Sequence, residues 1–415
     1  SLPDLAGLAG QYRSYANPRL MTAPVNNSFD AIVLGAGGAG LMCAGTAGQR
    51  GRRILVLDHA DKPGKKILIS GGGRCNFTNT GTVPERFISA NRHFAKSALR
   101  RYTPANFIAL VDQHGIAWHE KTLGQLFCDG SARQIVKMLL DECPPEQVRI
   151  ELGQPVHEVA HDGSEFRVRF GAETYRAPKL VIATGGPSIP KMGATGFAFD
   201  LARQFGLAIE TPRPALVPLT LSAQSNPFHD LAGVAAPVTA ACERIRFREA
   251  ALFTHRGLSG PSILQISSYW SPGKDITIDF LPDQHEGWLL QCKREQPSQQ
   301  AARLLAGLLP RRLAAVLGQS LELDVELGNA TDKHLARAER QLAAWAFRPN
   351  GTEGYAKAEV TAGGISTADL SSQTMMAKPV AGLYAIGEAV DVTGWLGGYN
   401  FQWAWASGRA AGEDL

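Results

Sequence analysis

A glycine-rich turn near the start of the chain restricts the folds open to it. The motif Gly35-x-Gly37-x-x-Gly40 follows a short apolar run rich in strand formers and precedes a segment with helical character. In that setting the first glycine permits a tight turn, the second lets the backbone approach a pyrophosphate, and the third allows close packing of helix on strand. A second apolar run, at residues 53–57, completes a βαβ unit. A parallel sheet with a dinucleotide site at its edge is therefore predicted.

An acidic residue and a helix start complete this predicted site. Asp58 ends the second strand, where a carboxylate accepts hydrogen bonds from ribose hydroxyls and disfavours a 2′-phosphate. A helix is predicted over residues 41–49, and its N-terminus supplies unpaired backbone N–H groups and a partial positive charge for the phosphates. Gly38, within the turn, is a further candidate cofactor contact. FAD or NAD therefore fits the motif better than NADP.

Segments far along the chain favour FAD over NAD. Two later strands are predicted to end in glycine-containing turns, and a glycine-rich segment opens the last helix. In flavoproteins with two nucleotide-binding folds, an acid after the last strand binds the ribityl chain, and helix N–H groups stabilise charge at the flavin N1/O2 edge. These segments contribute, as candidate FAD contacts, Thr184 and Gly185, Gly387 and Glu388, and Gly398, Asn400 and Phe401.

A second glycine-rich segment, residues 64–79, combines flexible backbone with basic, amide and hydroxyl side chains. Such a segment can wrap a diphosphate or the edge of a flavin, and a surface loop with solvated basic residues is the alternative. A packing role is favoured over a redox role for its cysteine. The candidate cofactor contacts here are Lys65, Ser70, Gly72, Gly73, Arg74, Cys75 and Asn76.

Four motifs together resemble the bacterial flavoprotein family labelled NAD(FAD)-utilising dehydrogenases, or BaiN-like. They are GKK…SGGGRCN.TN at residues 64–79, ATGG.S.P…GATG at 183–196, LFTH.GLSGP at 252–261, and EVTAGGI…GLY.IGE..D..G..GGYN.Q.AW.SG at 359–408. The resemblance runs from about residue 29 to 412. It implies FAD as the cofactor, bound by the residues named above and by the backbone of Val156 at the adenine.

The predicted fold class is α/β. Alternating apolar positions indicate a β-rich insert, and Leu/Ala/Gln/Arg stretches at helical spacing indicate a small helical module within it. The resemblance implies the same plan: a Rossmann-like FAD-binding domain, an inserted β-barrel-like domain and a small helical domain. The predicted boundaries are 25–212 and 360–415 for the FAD domain, 213–284 and 347–359 for the β-rich insert, 285–346 for the helical insert, and 1–24 for an N-terminal extension.

The substrate side is less defined by the sequence. His255 can exchange a proton near neutral pH, and Arg256 can hold a carboxylate or phosphate, so both are candidate catalytic residues. The alternative is that their loop only docks the insert onto the FAD domain. No second Gly-x-Gly-x-x-Gly lies in a βαβ context, so NAD(P)H is expected at most as a transient reductant. No metal site is predicted.

Three functions remain open. The first is hydride transfer between flavin N5 and a small organic substrate, with NAD(P)H as a possible reductant. The second is an amine or aminoketone oxidase that uses O2. The third is an RNA-modifying or a non-enzymatic flavoprotein. Reduction of the flavin by a nicotinamide, reduction by an amine, or binding to RNA would distinguish them.

Charge and cysteine content complete the expectations. The net charge is only +4 and the basic residues are scattered, so no nucleic acid or membrane partner is expected. The six cysteines include no Cys-x-x-Cys pair, which indicates a reducing, cytoplasmic location and argues against a disulfide reductase. Oligomeric state is left open.

Overall fold

The computed structural model describes residues 27–222 and 228–415, and the predicted N-terminal extension lies outside them. Within the described residues the α-helices are α1 (Gly38–Gln49), α2 (Lys65–Ile69), α3 (Lys96–Arg101), α4 (Pro104–Gln113), α5 (Ala132–Asp141), α6 (Phe197–Gln204), α7 (Pro261–Ser267), α8 (Trp288–Glu295), α9 (Ala301–Leu308), α10 (Arg311–Ser320), α11 (Asp332–Ala343) and α12 (Tyr399–Asp414).

The strands are β1 (Ala31–Leu34), β2 (Ile54–Asp58), β3 (Asn76–Asn79), β4 (Phe87–Ile88), β5 (Trp118–Glu120), β6 (Gln125–Cys128), β7 (Val148–Leu152), β8 (Val156–His161), β9 (Phe166–Phe170), β10 (Glu173–Ala177), β11 (Lys179–Ile182), β12 (Ile209–Ala215), β13 (Leu219–Thr220), β14 (Ala235–Cys242), β15 (Ile245–Thr254), β16 (Gly257–Ser259), β17 (Ile276–Asp279), β18 (Trp345–Phe347), β19 (Gly351–Thr352), β20 (Val360–Ile365), β21 (Leu383–Ala385) and β22 (Thr393–Gly394).

A parallel sheet in the order β21-β11-β1-β2-β7 forms the centre of the first half of the fold. Strand β1 is fully buried, and a strand that is buried on both faces has a continuously apolar sequence. The carboxyl ends of these strands share one edge, which brings together the turns that follow β1, β2, β11 and β21. The predicted α/β fold with a Rossmann-type sheet is confirmed.

The insert is built around an antiparallel sheet in the order β18-β17-β14-β15-β16-β13-β19. Its longest pairing joins β14 to β15 as a hairpin, in register from Ala235–Leu252 to Cys242–Ile245. Helices α8 to α11 follow β17 and contribute to the same apolar cluster as the sheet. The paired strands β12 and β20 connect this insert to the parallel sheet, since they precede and follow it in the chain.

The two larger apolar clusters of the described residues lie at the parallel sheet and in the insert, and a third, small cluster is formed by Ala215, Leu216, Val360 and Ala362. Trp395 packs against both of them, so it lies at the junction between the two parts of the fold. Helix α12 closes the first cluster, and its indole groups donate to backbone carbonyls: Trp405 to Phe77 at 2.8 Å and Trp403 to Gly387 at 3.0 Å. These bonds hold the helix start beside the sheet edge.

One helix is shorter than the sequence predicts. The pattern favours a helix over residues 91–101, whereas α3 begins at Lys96. The Asp391 carboxylate accepts a 2.8 Å hydrogen bond from the N–H of Ala90, and the Asn91 side chain accepts one from the N–H of His93. Local side-chain bonds of this kind compete with helix formation. In the described part of the chain, no helix is long and apolar enough to cross a membrane.

Candidate cofactor site

The turn after β1 brings three backbone segments unusually close together. A Cβ atom on Gly35, whose φ is +112°, would lie 2.5 Å from the Ala183 carbonyl oxygen. A Cβ on Gly40 would lie 1.9 Å from the Gly35 carbonyl oxygen. Only glycine permits these approaches, which place α1 directly against the ends of β1 and β11.

Gly37 differs from these two glycines because its missing Cβ would meet no protein atom within 4 Å. It is the N-cap of α1, and its carbonyl accepts the first helical bond, from the N–H of Leu41. The N–H groups of the first turn therefore have no intrahelical partner, and they carry the positive end of the helix dipole. Open space before such a helix end suits a pyrophosphate.

Asp58 ties β2 to this turn. One carboxylate oxygen accepts from the N–H of Ala36 at 2.7 Å, and the other accepts from the N–H of Ala60 at 2.9 Å. The side chain is only 16% exposed, yet each oxygen keeps a lone pair for a further donor such as a ribose hydroxyl. Asp58 thus shapes the protein turn in addition to its predicted contact with the ribose.

Asp58→Ala is expected to reduce FAD occupancy in the purified protein and also to lower thermal stability. The second effect follows because the N–H groups of Ala36 and Ala60 lose their acceptor. Each of these groups that remains buried without a hydrogen bond lowers the free energy of unfolding by about 1–3 kcal/mol. Flavin absorbance per protein and the melting temperature of the FAD-free protein measure the two effects. Full FAD occupancy in the variant would contradict the assigned ribose contact.

A charged network lies where β11, β21 and the 64–79 segment meet. Lys66 Nζ is 2.5 Å from Glu388 Oε2 and 2.7 Å from Ser188 Oγ. The other Glu388 oxygen accepts from Ser188 Oγ at 2.7 Å and from the Thr361 N–H at 2.9 Å. Glu388 is therefore held at the sheet edge by partners from three distant parts of the chain.

The lysine in this network is not the one that the sequence reasoning selected. Lys65 instead pairs with Asp61, at 2.7 Å, whose side chain is 69% exposed. Adjacent residues of a helix point about 100° apart, so a motif with two consecutive lysines does not reveal which of them reaches the Glu388 carboxylate. The predicted FAD contact of Lys65 stays a prediction, and Lys66 is a candidate that was missed.

Two buried hydroxyl groups beside the network have no hydrogen-bond partner among the described residues: Thr184 Oγ1 and Thr361 Oγ1. Buried polar atoms are rarely left without a partner, so unpaired hydroxyls at a sheet edge indicate that a polar ligand supplies one. Together with the open space at Gly37 and the helix N-terminus, they fit FAD at this edge. Bound there, FAD would supply hydride-transfer chemistry.

The segment before α12 supplies the remaining predicted contacts. The Asn400 amide folds this segment, because it accepts from the N–H of Gly394 and donates to the Gly394 carbonyl. The Phe401 ring stacks on Trp405, with 5.4 Å between centroids. Side chains of both residues are thus engaged within the protein, whereas the backbone N–H groups that follow Gly398 are free of intrahelical bonds. Any contact of these residues with the flavin would therefore be made by their backbone.

The 70–76 loop has several of the features predicted for a cofactor loop. Gly72 lies in the left-handed region at φ +67°, and a Cβ there would meet no protein atom within 4 Å. Ser70 Oγ donates to the Ile67 carbonyl, and Arg74 is exposed. Cys75 is fully buried, in agreement with a packing role.

Thiol reactivity follows from this burial. Desolvation raises the pKa of the Cys75 thiol, and it raises that of Cys128 to about 12. The thiolate is the reactive form, so both residues are expected to be inert at neutral pH. In the native protein a thiol reagent should label the half-buried Cys292 before the other five cysteines, as mapped by mass spectrometry. Rapid labelling of Cys75 would contradict this packing role.

The remaining predicted residues lie in different places. Val156 opens β8, which follows β7 beside the end of β2, on the side expected for adenine. His255 and Arg256 form the exposed turn between β15 and β16, where Thr254 Oγ1 accepts from the N–H of Arg256. Arg256 also pairs with Glu353 at 3.8 Å. Their catalytic role stays a prediction.

Comparison with known proteins places the chain in a family. The model of the HI0933-like protein Rossmann domain matches residues 29–414. The chain is 52% identical to a ribosomal RNA dihydrouridine synthase of Escherichia coli (strain K12), covering 93% of this chain and 98% of that protein. It is 45% identical to the Haemophilus influenzae protein of the same name, covering 92% and 98%. It is 28% identical to a 3-dehydro-bile acid delta(4,6)-reductase of Clostridium scindens, covering 92% and 97%.

The chain therefore belongs to the HI0933-like family of Rossmann-fold flavoproteins, and the predicted BaiN-like resemblance is confirmed. FAD as cofactor and oxidoreductase chemistry are supported at the level of this family.

The expectation that no nucleic acid is a partner is contradicted by the relatives named for ribosomal RNA. Net charge averages over the whole surface and therefore says little about one face. Arg246 and Arg248, for example, alternate along β15 and are both exposed, so they lie on one side of that strand, where Arg248 pairs with Asp283.

Proposed function

We propose that this protein is an FAD-dependent reductase that converts uridine to dihydrouridine in ribosomal RNA. The observation that carries the proposal is its 52% identity, over nearly the full length of both chains, to the Escherichia coli enzyme of that name. The identity to the bile-acid reductase is 28% over a similar length. Reduction of a conjugated C=C bond is common to both named activities, which supports a shared flavin chemistry.

The reaction adds two electrons and two protons to the base. A hydride is added at C6 of the uracil, a proton is added at C5, and the C5=C6 double bond becomes single. Negative charge develops on the C5–C4–O4 system before the proton arrives, so a donor near O4 would stabilise it. NAD(P)H is the reductant we propose for regenerating the reduced cofactor.

The chain's own residues have separable roles in this proposal. The turn at Gly37 and the first turn of α1 hold the pyrophosphate, and Asp58 holds the ribose. Glu388, fixed by Lys66 and Ser188, binds the ribityl hydroxyls. The N-terminus of α12 stabilises negative charge at the flavin N1/O2 edge.

The test is conversion of ribosomal RNA made by in vitro transcription, which contains no modified uridine. Purified FAD-loaded protein is incubated with this RNA and NADH, NADPH or chemical reductant, and the digested nucleosides are analysed by mass spectrometry. We expect dihydrouridine at a defined position. Absence of dihydrouridine even with chemically reduced flavin would refute the proposal. A chemically reduced flavin needs no nicotinamide, so use of the wrong nicotinamide could not explain that result.

A further inference from the structure

A cleft of about 370 Å³ opens at the junction between the FAD-binding part and the insert. This volume lies within the range of small-ligand pockets. Strand β15, helix α7 and the segments around β3, β6 and α12 all contribute to its wall. The side chains that matter for the argument are Arg86, Gln125, Glu249, Gln265, Trp395 and Tyr399.

The cleft adjoins the helix start assigned above to the flavin N1/O2 edge. A Cβ on Gly397 would lie 2.7 Å from the Gln125 side chain, which lines the cleft. Asn79 Nδ2 donates to the Gly397 carbonyl at 2.8 Å, and Asn79 also lines it. Tyr399, the first residue of α12, is part of the same wall. A ligand in the cleft would thus sit next to the predicted N1/O2 edge of the flavin.

Arg86 is held rigidly in this wall. Its Nη1 donates to the Tyr399 hydroxyl at 2.5 Å, and its guanidinium lies 5.1 Å from the centre of the Trp395 ring and 5.8 Å from that of Tyr399. Its backbone carbonyl accepts from the N–H of Trp395 at 3.1 Å. Arginine has five N–H donors, so most of them remain for a ligand after the bond to Tyr399.

Glu249 faces the cleft from the insert. It is half-buried on β15, and Gln265 Nε2 lies 3.4 Å from its Oε1. The Gln265 carbonyl oxygen accepts from the N–H of Leu396 at 2.9 Å, so the amide is oriented with its NH2 group toward Glu249. Burial raises the pKa of the Glu249 carboxyl. The cleft therefore presents a partly desolvated carboxyl group, that of Glu249, and a fixed guanidinium group, that of Arg86. An acceptor and a donor of this kind suit a polar, uncharged ligand that can hydrogen-bond to both.

We propose that this cleft binds the target uracil, turned out of the RNA strand, with Arg86 donating to a uracil carbonyl oxygen and Glu249 accepting from the imide N3–H. This inference rests on the proposed function. The base edge of uracil presents acceptor, donor and acceptor in that order, which matches an arginine beside a carboxylate. Enzymes that modify a base within a strand bind it in this extruded form, between aromatic side chains and polar groups.

The same geometry selects against cytosine. Cytosine has a lone pair at N3 and an amino group at C4, so it would place an acceptor opposite the Glu249 carboxylate and a donor in place of O4. The exposed Arg246 also lines the cleft, where it is positioned to contact a phosphate flanking the extruded nucleotide, whereas Arg248 in the same wall pairs with Asp283.

The experiment compares three variants of the FAD-loaded protein on the in vitro-transcribed ribosomal RNA. Glu249→Gln and Arg86→Gln change the cleft, and Glu243→Gln makes the matched change on the same hairpin, at an exposed residue outside it. We expect the two cleft variants to lose about ten- to a hundredfold in kcat/KM for dihydrouridine formation, the range of one charge-assisted hydrogen bond. The FAD content of all three variants and the activity of Glu243→Gln should equal those of the wild-type protein.

A second measurement uses only wild-type protein, so it does not depend on the folding of a variant. A ribosomal RNA transcript that carries 4-thiouridine in place of uridine is irradiated with the protein, and cross-linked peptides are mapped. We expect a cross-link at Trp395 or Tyr399.

The outcomes separate the two proposals. No dihydrouridine from wild type with chemically reduced flavin overturns the proposed function, and the cleft assignment with it. If the wild-type protein forms dihydrouridine and both cleft variants are as active as the Glu243→Gln control, the cleft assignment alone is overturned. Cross-links found only at residues other than Trp395 and Tyr399 would also overturn the cleft assignment.

Discussion

Gly40→Ala is expected to abolish stable FAD binding and to lower the free energy of unfolding of the FAD-free protein by about 1–3 kcal/mol. The added Cβ would lie 1.9 Å from the Gly35 carbonyl oxygen, a backbone atom that can only move if the turn and α1 separate. That separation removes the alignment of the helix N-terminus with the sheet edge. Urea unfolding of the FAD-free protein and a flavin titration measure the two effects.

Gly37→Ala is the matched control, three residues away in the same turn. Its Cβ would meet no protein atom within 4 Å, and the backbone at φ −82° suits any residue. We therefore expect unchanged stability without FAD but a weaker affinity for FAD, because the methyl group occupies space assigned to the pyrophosphate. Wild-type affinity in Gly37→Ala would show that the cofactor does not approach the turn there.

Glu388→Ala is expected to produce the second large effect, a loss of about ten- to a hundredfold in FAD affinity together with lower stability. Removing the carboxylate leaves Lys66, Ser188 and the Thr361 N–H without their shared acceptor. Leaving a buried polar group unpaired costs about 1–3 kcal/mol. Equilibrium dialysis of FAD and thermal unfolding measure the two losses.

Glu158→Ala provides the comparison for that prediction. Glu158 also forms an ion pair, with Arg169 at 3.6 Å, but its side chain is 64% exposed. Exposed pairs contribute about 0–1 kcal/mol, so neither FAD affinity nor stability should change appreciably. Equal losses in both variants would mean that the Glu388 network has no special role at the cofactor site.

The parts of the fold predictable from sequence were those encoded by local patterns. The apolar runs of β1 and β2 and the glycine spacing between them define a parallel βαβ unit without reference to the rest of the chain. Asp58 is identifiable because it directly follows one of those runs. The start of α3 was missed because Asp391, far along the chain, holds the backbone before it.

The substrate side depends on contacts that sequence spacing does not report. Arg86, Glu249 and Trp395 are far apart in the chain, and only the packing of the insert against α12 brings them to one cleft. Trp395 is half-buried and lines that cleft, which no local pattern in the sequence indicates. The expectation of no nucleic-acid partner rested on the net charge of +4, which does not report the local alternation of arginines on β15.

The most direct test of the account follows the flavin itself during one turnover. The FAD-loaded protein is reduced photochemically without oxygen and mixed with in vitro-transcribed ribosomal RNA, while flavin absorbance and dihydrouridine are both recorded. We predict that RNA restores the oxidised flavin spectrum, with one dihydrouridine formed for each flavin reoxidised. A flavin that stays reduced in the presence of RNA and is reoxidised only when oxygen is admitted would contradict the central claim.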